Sequence, residues 1–214
     1  MHSSGTKLPV DSLEALARAT AVINSTLDQQ SVFERIATCA AEVMQAEASS
    51  VLILDARRDR LVFAAAVGEH AAALMGKEFD AKLGIAGHVI ATGRSENITD
   101  VSSRQDFFRG IDEELRFRTY GLMAAPMVFK SGIIGVVEVL NRRDGGAFPD
   151  DEIPLLELFA NLAACAARNA QAHSSLKRER TALRDALLSS VDIVGTSTAL
   201  QETQQLAERV EPTN

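Results

Sequence analysis

Three places along the 214-residue chain could do chemistry. The first is Glu138, a carboxylate inside the apolar run Ile133-Ile-Gly-Val-Val-Glu-Val-Leu140. An unpartnered carboxylate in such a strand costs roughly 2 kcal/mol or more, so Glu138 needs a partner. That partner is either an arginine on an exposed or helix-covered sheet face or a polar ligand in a pocket. The second place is Gly84-Ile-Ala-Gly87, which reads as a turn feeding a short helix over His88–Thr92, closed by Gly93. Its glycines admit close approach, and the N–H groups of Ile85 and Ala86 point out of a helix start, which suits an anion; a plain helix-initiating turn is the alternative. The third is the aromatic and charged stretch Phe107–Phe117, which lacks a clean period and reads as a loop with a short helix folded over something. The alternative there is that Phe107, Phe108 and Phe117 only anchor a surface loop. No Ser-His-Asp order, HExxH or paired-acid spacing occurs, so the chain is read as a non-enzyme. His70 and His88 have no His or Cys at ligand spacing, which predicts no metal and no cofactor. Cys39 and Cys165 lie in Ala-rich helical surroundings and are expected to be small buried thiols.

These residues must be positioned by a core that composition allows. With 46% hydrophobic and 24% charged residues, the chain suits one domain plus helical extensions. It has no run of ~18 apolar residues and no apolar signal after its first residues, which predicts a cytoplasmic protein without a membrane partner. A net charge of -7 without clustered Lys and Arg argues against nucleic acid. Residues 1–10 read as a flexible N-terminus, and Asp11 with Glu14 caps a first helix carrying Leu13, Leu16, Ile23 and Leu27. A second helix is predicted from a Ser31/Glu34 capping box, with Val32, Phe33, Ile36, Cys39, Ala40 and Val43 buried.

Strands are predicted over 50–54 and 60–66, joined by a hairpin loop at 55–59. An edge strand is expected at 96–99 and two central strands at 121–129 and 133–140, one of them carrying Pro126. Residues 68–83 remain ambiguous. A long helix capped by Asp150 or Asp151 then runs past Pro154 to about Leu188. Its seam, Leu155, Phe159, Leu162, Ala166, Asn169, His173, Leu176, Arg180, Leu183 and Leu187, has coiled-coil spacing and predicts a parallel homodimer. A frayed amphipathic linker is the alternative.

From about Leu13 to Ala170 the chain resembles a GAF domain, most densely in GIAGHVIATGRSENITD (84–100), FFRGIDEELRFRT (107–119) and IIGVVEVLNRRDGGAF (133–148). The resemblance is to the cyclic-nucleotide GAF domains of phosphodiesterases and cyclases. It implies an α+β fold: a central antiparallel sheet of five to six strands, with N- and C-terminal helices on one face and ligand loops on the other. It also implies a signature of Asn141, Arg142 (in place of Lys), Phe148 and Glu152, with Ile153 where the family has a last acid. Arg142 and Glu152 keep the signs of the family's salt bridge, with a bidentate geometry open to them. The resemblance places Ser50, Ile85, Ala86, Phe108, Asp112, Leu115, Thr119 and Glu138 at a ligand pocket, with Glu138 accepting a base N–H and Leu115 standing where the family has Thr. The expected ligand is cAMP, ahead of cGMP. A GAF module that binds another small metabolite, or none and serves dimerisation, is the alternative.

Residues 192–214 resemble the start of the AAA+ domain of bacterial enhancer-binding transcription activators, without a phosphate loop. The organisation expected is therefore a sensor domain over 11–170, a signalling helix over 171–190 and a truncated ATPase start over 191–214. An unrelated linker helix over 198–210 is the alternative for the tail.

Overall fold

A computed structural model describes residues 29–130 and 132–189. The first predicted helix, the flexible N-terminus and the AAA+-like tail lie outside the described residues. The chain divides into two compact units, residues 1–171 and 172–214, and the architecture below belongs to the first.

Helix α1 (Gln29–Val43) leads into strand β1 (Ala46–Leu54), whose hairpin partner is β2 (Arg60–Val67). Helix α2 (Ala71–Leu74), strand β3 (Glu78–Asp80), helix α3 (Gly84–Thr92) and strand β4 (Glu96–Ile98) follow. Helix α4 (Gly110–Leu115) precedes the long hairpin of β5 (Leu122–Phe129) and β6 (Gly132–Arg142), and α5 (Ile153–Ser189) closes the series. The six strands form one sheet in the order β3-β2-β1-β6-β5-β4, with every pairing antiparallel. The α+β architecture read from the sequence is therefore the observed one.

Strand alternation sends two residue sets to opposite faces. Val51, Val137 and Val139 meet Phe33 and Ile36 of α1 and Leu156 and Phe159 of α5 in the larger core. Leu52, Phe63, Leu122 and Val136 face the other way, under α3 and the loops that carry Val101 and Phe107. Pro126 is tolerated because β4 stops pairing opposite Ala124, leaving β6, among the described strands, as the one that pairs with Pro126.

Several local expectations are corrected. Gln29 and Gln30 are already helical, so Ser31 lies inside α1 and is not its cap. Strand β1 starts at Ala46, four residues early, because pairing with β6 (Ala46 to Arg142, Ala48 to Leu140) recruits a stretch whose small residues have little β preference. The ambiguous residues 68–83 hold α2 and β3. Helix α3 begins at Gly84, since Gly87 N–H bonds Leu83 O at 3.1 Å, so the GIAG segment is the first helical turn and not a loop before it.

The thiols are corrected as well: Cys165 is exposed and Cys39 half-buried. In α5 the covered stripe runs through Leu155, Leu156, Phe159, Ala160, Ala163, Ala164, Ala166 and Ala167, which turns Cys165 outward. This stripe is wider than a coiled-coil seam. Of the seam residues, Leu155, Phe159 and Ala166 are buried in their own domain, Leu162 is half-buried, and Asn169, Arg180 and Leu183 are exposed. The side chains of His173, Leu176 and Leu187 lie outside the described residues.

Candidate functional site

On the face opposite α1 and α5 lies a cavity of about 110 Å³ that opens to solvent. Its floor is the sheet: Ala48 and Ser50 from β1, Phe63 from β2, Leu122 from β5, Glu138 and Leu140 from β6. Its roof is the segment holding Phe107, Phe108, Asp112, Leu115, Phe117 and Thr119. The start of α3 forms one wall and residues 67–74 another. All eight pocket positions named from sequence, Ser50, Ile85, Ala86, Phe108, Asp112, Leu115, Thr119 and Glu138, line this one space.

Glu138 reaches the cavity because residues 136, 138 and 140 of β6 share the loop-side face. Its register neighbours are small, Ser50 on β1 and Ala124 on β5. Ser50 Oγ donates to Glu138 Oε2 at 3.3 Å, and no Lys or Arg is among the described lining residues. Burial without a cation pushes the Glu138 carboxyl up to about 7, with the Ser50 hydroxyl pulling weakly the other way. The alternative of an arginine partner for Glu138 is thereby corrected. Ser50 itself lies mid-strand rather than at a strand start.

Two candidate ligand groups are already engaged with each other. Asp112 accepts from Thr119 N–H and from Thr119 Oγ, both at 2.9 Å, which ties α4 to the chain entering β5. Lys77 and Glu114 form an ion pair that ties the same helix to the segment before β3. The roof is also held by Phe108, whose ring stacks on Phe79 with centroids 6.0 Å apart. Gly84, at φ +70°, leaves room for this: a Cβ there would stand 3.2 Å from Phe108 Cβ.

Gly87 has another purpose than approach to an anion. A Cβ there would lie 2.5 Å from the Lys82 carbonyl carbon and 2.9 Å from Ala81 O, so it packs α3 on the preceding backbone. Gly84, Ile85 and Ala86, whose N–H groups precede the first intrahelical bond, are among the lining residues.

The signature residues sit beside the cavity and not in it. Asn141, buried at φ +51°, donates from Nδ2 to Glu47 (2.9 Å) and Arg118 O (2.8 Å), and its Oδ1 accepts from Tyr120 N–H (2.7 Å). It therefore fixes the backbone on both sides of Thr119. Next in sequence, Arg142 donates through one nitrogen to both Glu152 oxygens (3.2 and 3.3 Å) and through Nε to Asp144 (2.9 Å). The pair thus meets through one shared nitrogen and not through the two-nitrogen fork that was open to it, while Nε is turned to Asp144. Phe148 is buried in the helix-side core.

Sequence reasoning missed Phe63, Phe79 and His70 as lining residues. Phe63 was legible from its alternation with Leu61 in β2. Phe79 and His70 lie in the stretch whose structure the local pattern left open, and His70 meets Phe117 edge-on at 6.1 Å.

Comparison with known proteins fits this architecture. The family described as "GAF domain" matches residues 28–169. A probable 3',5'-cyclic phosphodiesterase of Caenorhabditis elegans is 24% identical over 178 residues, covering 79% of this chain and 24% of the relative. A dual 3',5'-cyclic-AMP and -GMP phosphodiesterase of Drosophila melanogaster is 32% identical over 97 residues, 45% of this chain and 7% of its own length. The chain thus spans a quarter or less of these curated relatives. Among solved structures, the GAF domain of a phosphoenolpyruvate-protein phosphotransferase from Coxiella burnetii superposes with a TM-score of 0.69 at 18% identity, covering 77% of this chain and 97% of that one. No helix among the described residues is long and apolar enough to cross a membrane. The chain belongs to the GAF domain family, whose members are regulatory, sensor-type modules.

Proposed function

We propose that the chain senses a 3',5'-cyclic nucleotide, cAMP or cGMP, held in the cavity between the sheet and the α4 roof. The observation that carries this reading is the cavity's composition. It combines aromatic rings at Phe63, Phe79 and Phe108, a carboxyl group at Glu138 for a base edge, and helix-start N–H groups for the single phosphodiester charge. Phosphodiesterase relatives support the ligand class.

The signal leaves through the roof. A ligand that binds one roof position better than another biases Asp112 and Thr119, then Asn141, then Arg142 and Glu152 in the turn before α5. Helix α5 runs on to Ser189, and its exposed Leu183 fits pairing with a second copy of the chain, followed by an attached AAA+ ATPase. The absence of Lys and Arg from the lining favours one second reading, an uncharged metabolite. Thermal unfolding followed during titration with each nucleotide tests the proposal. A saturable rise supports it, and flat curves with both nucleotides overturn it.

A further inference from the structure

The cavity holds more acid than base. Glu69, Asp112 and Glu138 are among its described lining residues, and His70 is the one among them whose side chain can carry a positive charge. An anion entering this space meets like charge, and helix-start N–H groups offset it with partial charges alone.

The chain is bent to bring His70 to the cavity. Strand β2 ends at Val67, and Gly68 turns at φ +126°, where a Cβ would stand 3.0 Å from Ala48 Cβ and 3.2 Å from Glu47 O. A glycine lets the exit from β2 pass this close to β1. Ala71 N–H then bonds Gly68 O at 3.2 Å and Ala73 N–H bonds His70 O at 3.0 Å, which fixes the backbone around the imidazole. The half-buried ring meets Phe117 of the roof edge-on, with centroids 6.1 Å apart. Its two nitrogens have no hydrogen-bond or ion-pair partner among the described residues. His88, by contrast, is held by Glu96 at 3.2 Å and is not among the lining residues.

Resting on the cyclic-nucleotide reading, we infer that His70 is a ligand-binding residue that meets the phosphodiester as an imidazolium, donating a charge-assisted hydrogen bond to a phosphate oxygen. The proton comes from solvent as the anion arrives, and the ring then supplies the full positive charge that the lining otherwise lacks. Because the ring spans from the wall after β2 to Phe117, the same contact ties ligand occupancy to the position of the roof.

Dissociation constants for cAMP and cGMP are measured with the full chain as the parent, His70→Gln and His70→Lys, with the Tm of each unliganded protein beside them. Gln removes both the charge and the ring contact with Phe117, whereas Lys removes the ring contact and keeps the charge. For whichever nucleotide the parent binds, Gln should weaken affinity roughly tenfold or more, the size of a charge-assisted hydrogen bond, and Lys should stay within about threefold of the parent. A packing role alone would weaken both variants together. Gln binding as tightly as the parent, or Lys binding as weakly as Gln, overturns this inference and leaves the sensor reading standing. Binding of neither nucleotide by the parent overturns both.

Discussion

Replacing Glu138 with Gln should stabilise the protein, and by an amount that depends on pH. The folded state holds the Glu138 proton up to about 7, whereas the unfolded chain releases it near the ordinary value of 4.5. Between those values the folded state binds more protons than the unfolded one, so this group's contribution to stability falls as pH rises. At about 1.4 kcal/mol per unit, a separation of roughly 2.5 units costs roughly 3 kcal/mol at pH 8 and under about 1 kcal/mol at pH 5. Gln keeps the shape and the hydrogen bond to Ser50 without the charge, so Glu138→Gln should recover most of that difference. Urea unfolding of both proteins at several pH values measures it, as a gap in midpoint that widens from pH 5 to pH 8 at unchanged slope. A gap that stays constant with pH, or a variant less stable than the parent at pH 8, would refute burial of a carboxylate without a cation beside it as the cause.

Two further substitutions test how the site is built. Asn141→Ala removes three side-chain hydrogen bonds and places a less tolerant residue at φ +51°, so it should cost roughly 2–4 kcal/mol in urea unfolding, with Asn141→Gly costing less because it relieves the backbone. Gly87→Ala should lower stability by roughly 1–3 kcal/mol, a fall of several degrees in Tm, because its Cβ meets fixed backbone at 2.5 Å. In an uncrowded helix the same change would stabilise by about 1 kcal/mol.

The parts of the fold that sequence exposed most clearly are those whose local pattern and tertiary environment agree. The β5–β6 hairpin has β-prone residues, a tight Gly132 connection and burial on both faces, and these all point one way. Glu138 drew notice because a charge there contradicts its surroundings, which is how a cavity wall shows itself in a strand. The start of β1 and residues 68–83 were hidden because pairing with β6 and β2 forms those strands against weak local preference. Gly87 looked like a phosphate-approach glycine, yet its constraint comes from Lys82, a contact that spacing alone does not reveal. The helical stripe of α5 was legible in outline, but its alanines broaden the buried face and turn Cys165 outward.

The account depends on a nucleotide entering the space beneath Phe108 and Asp112. Thermal unfolding of the chain with cAMP or cGMP at about 100 times its dissociation constant measures this most directly, since such occupancy adds about 2.7 kcal/mol, a rise of several degrees for a domain of this size. The account predicts that rise and its saturation with concentration. An unfolding midpoint unmoved by millimolar amounts of either nucleotide would contradict it.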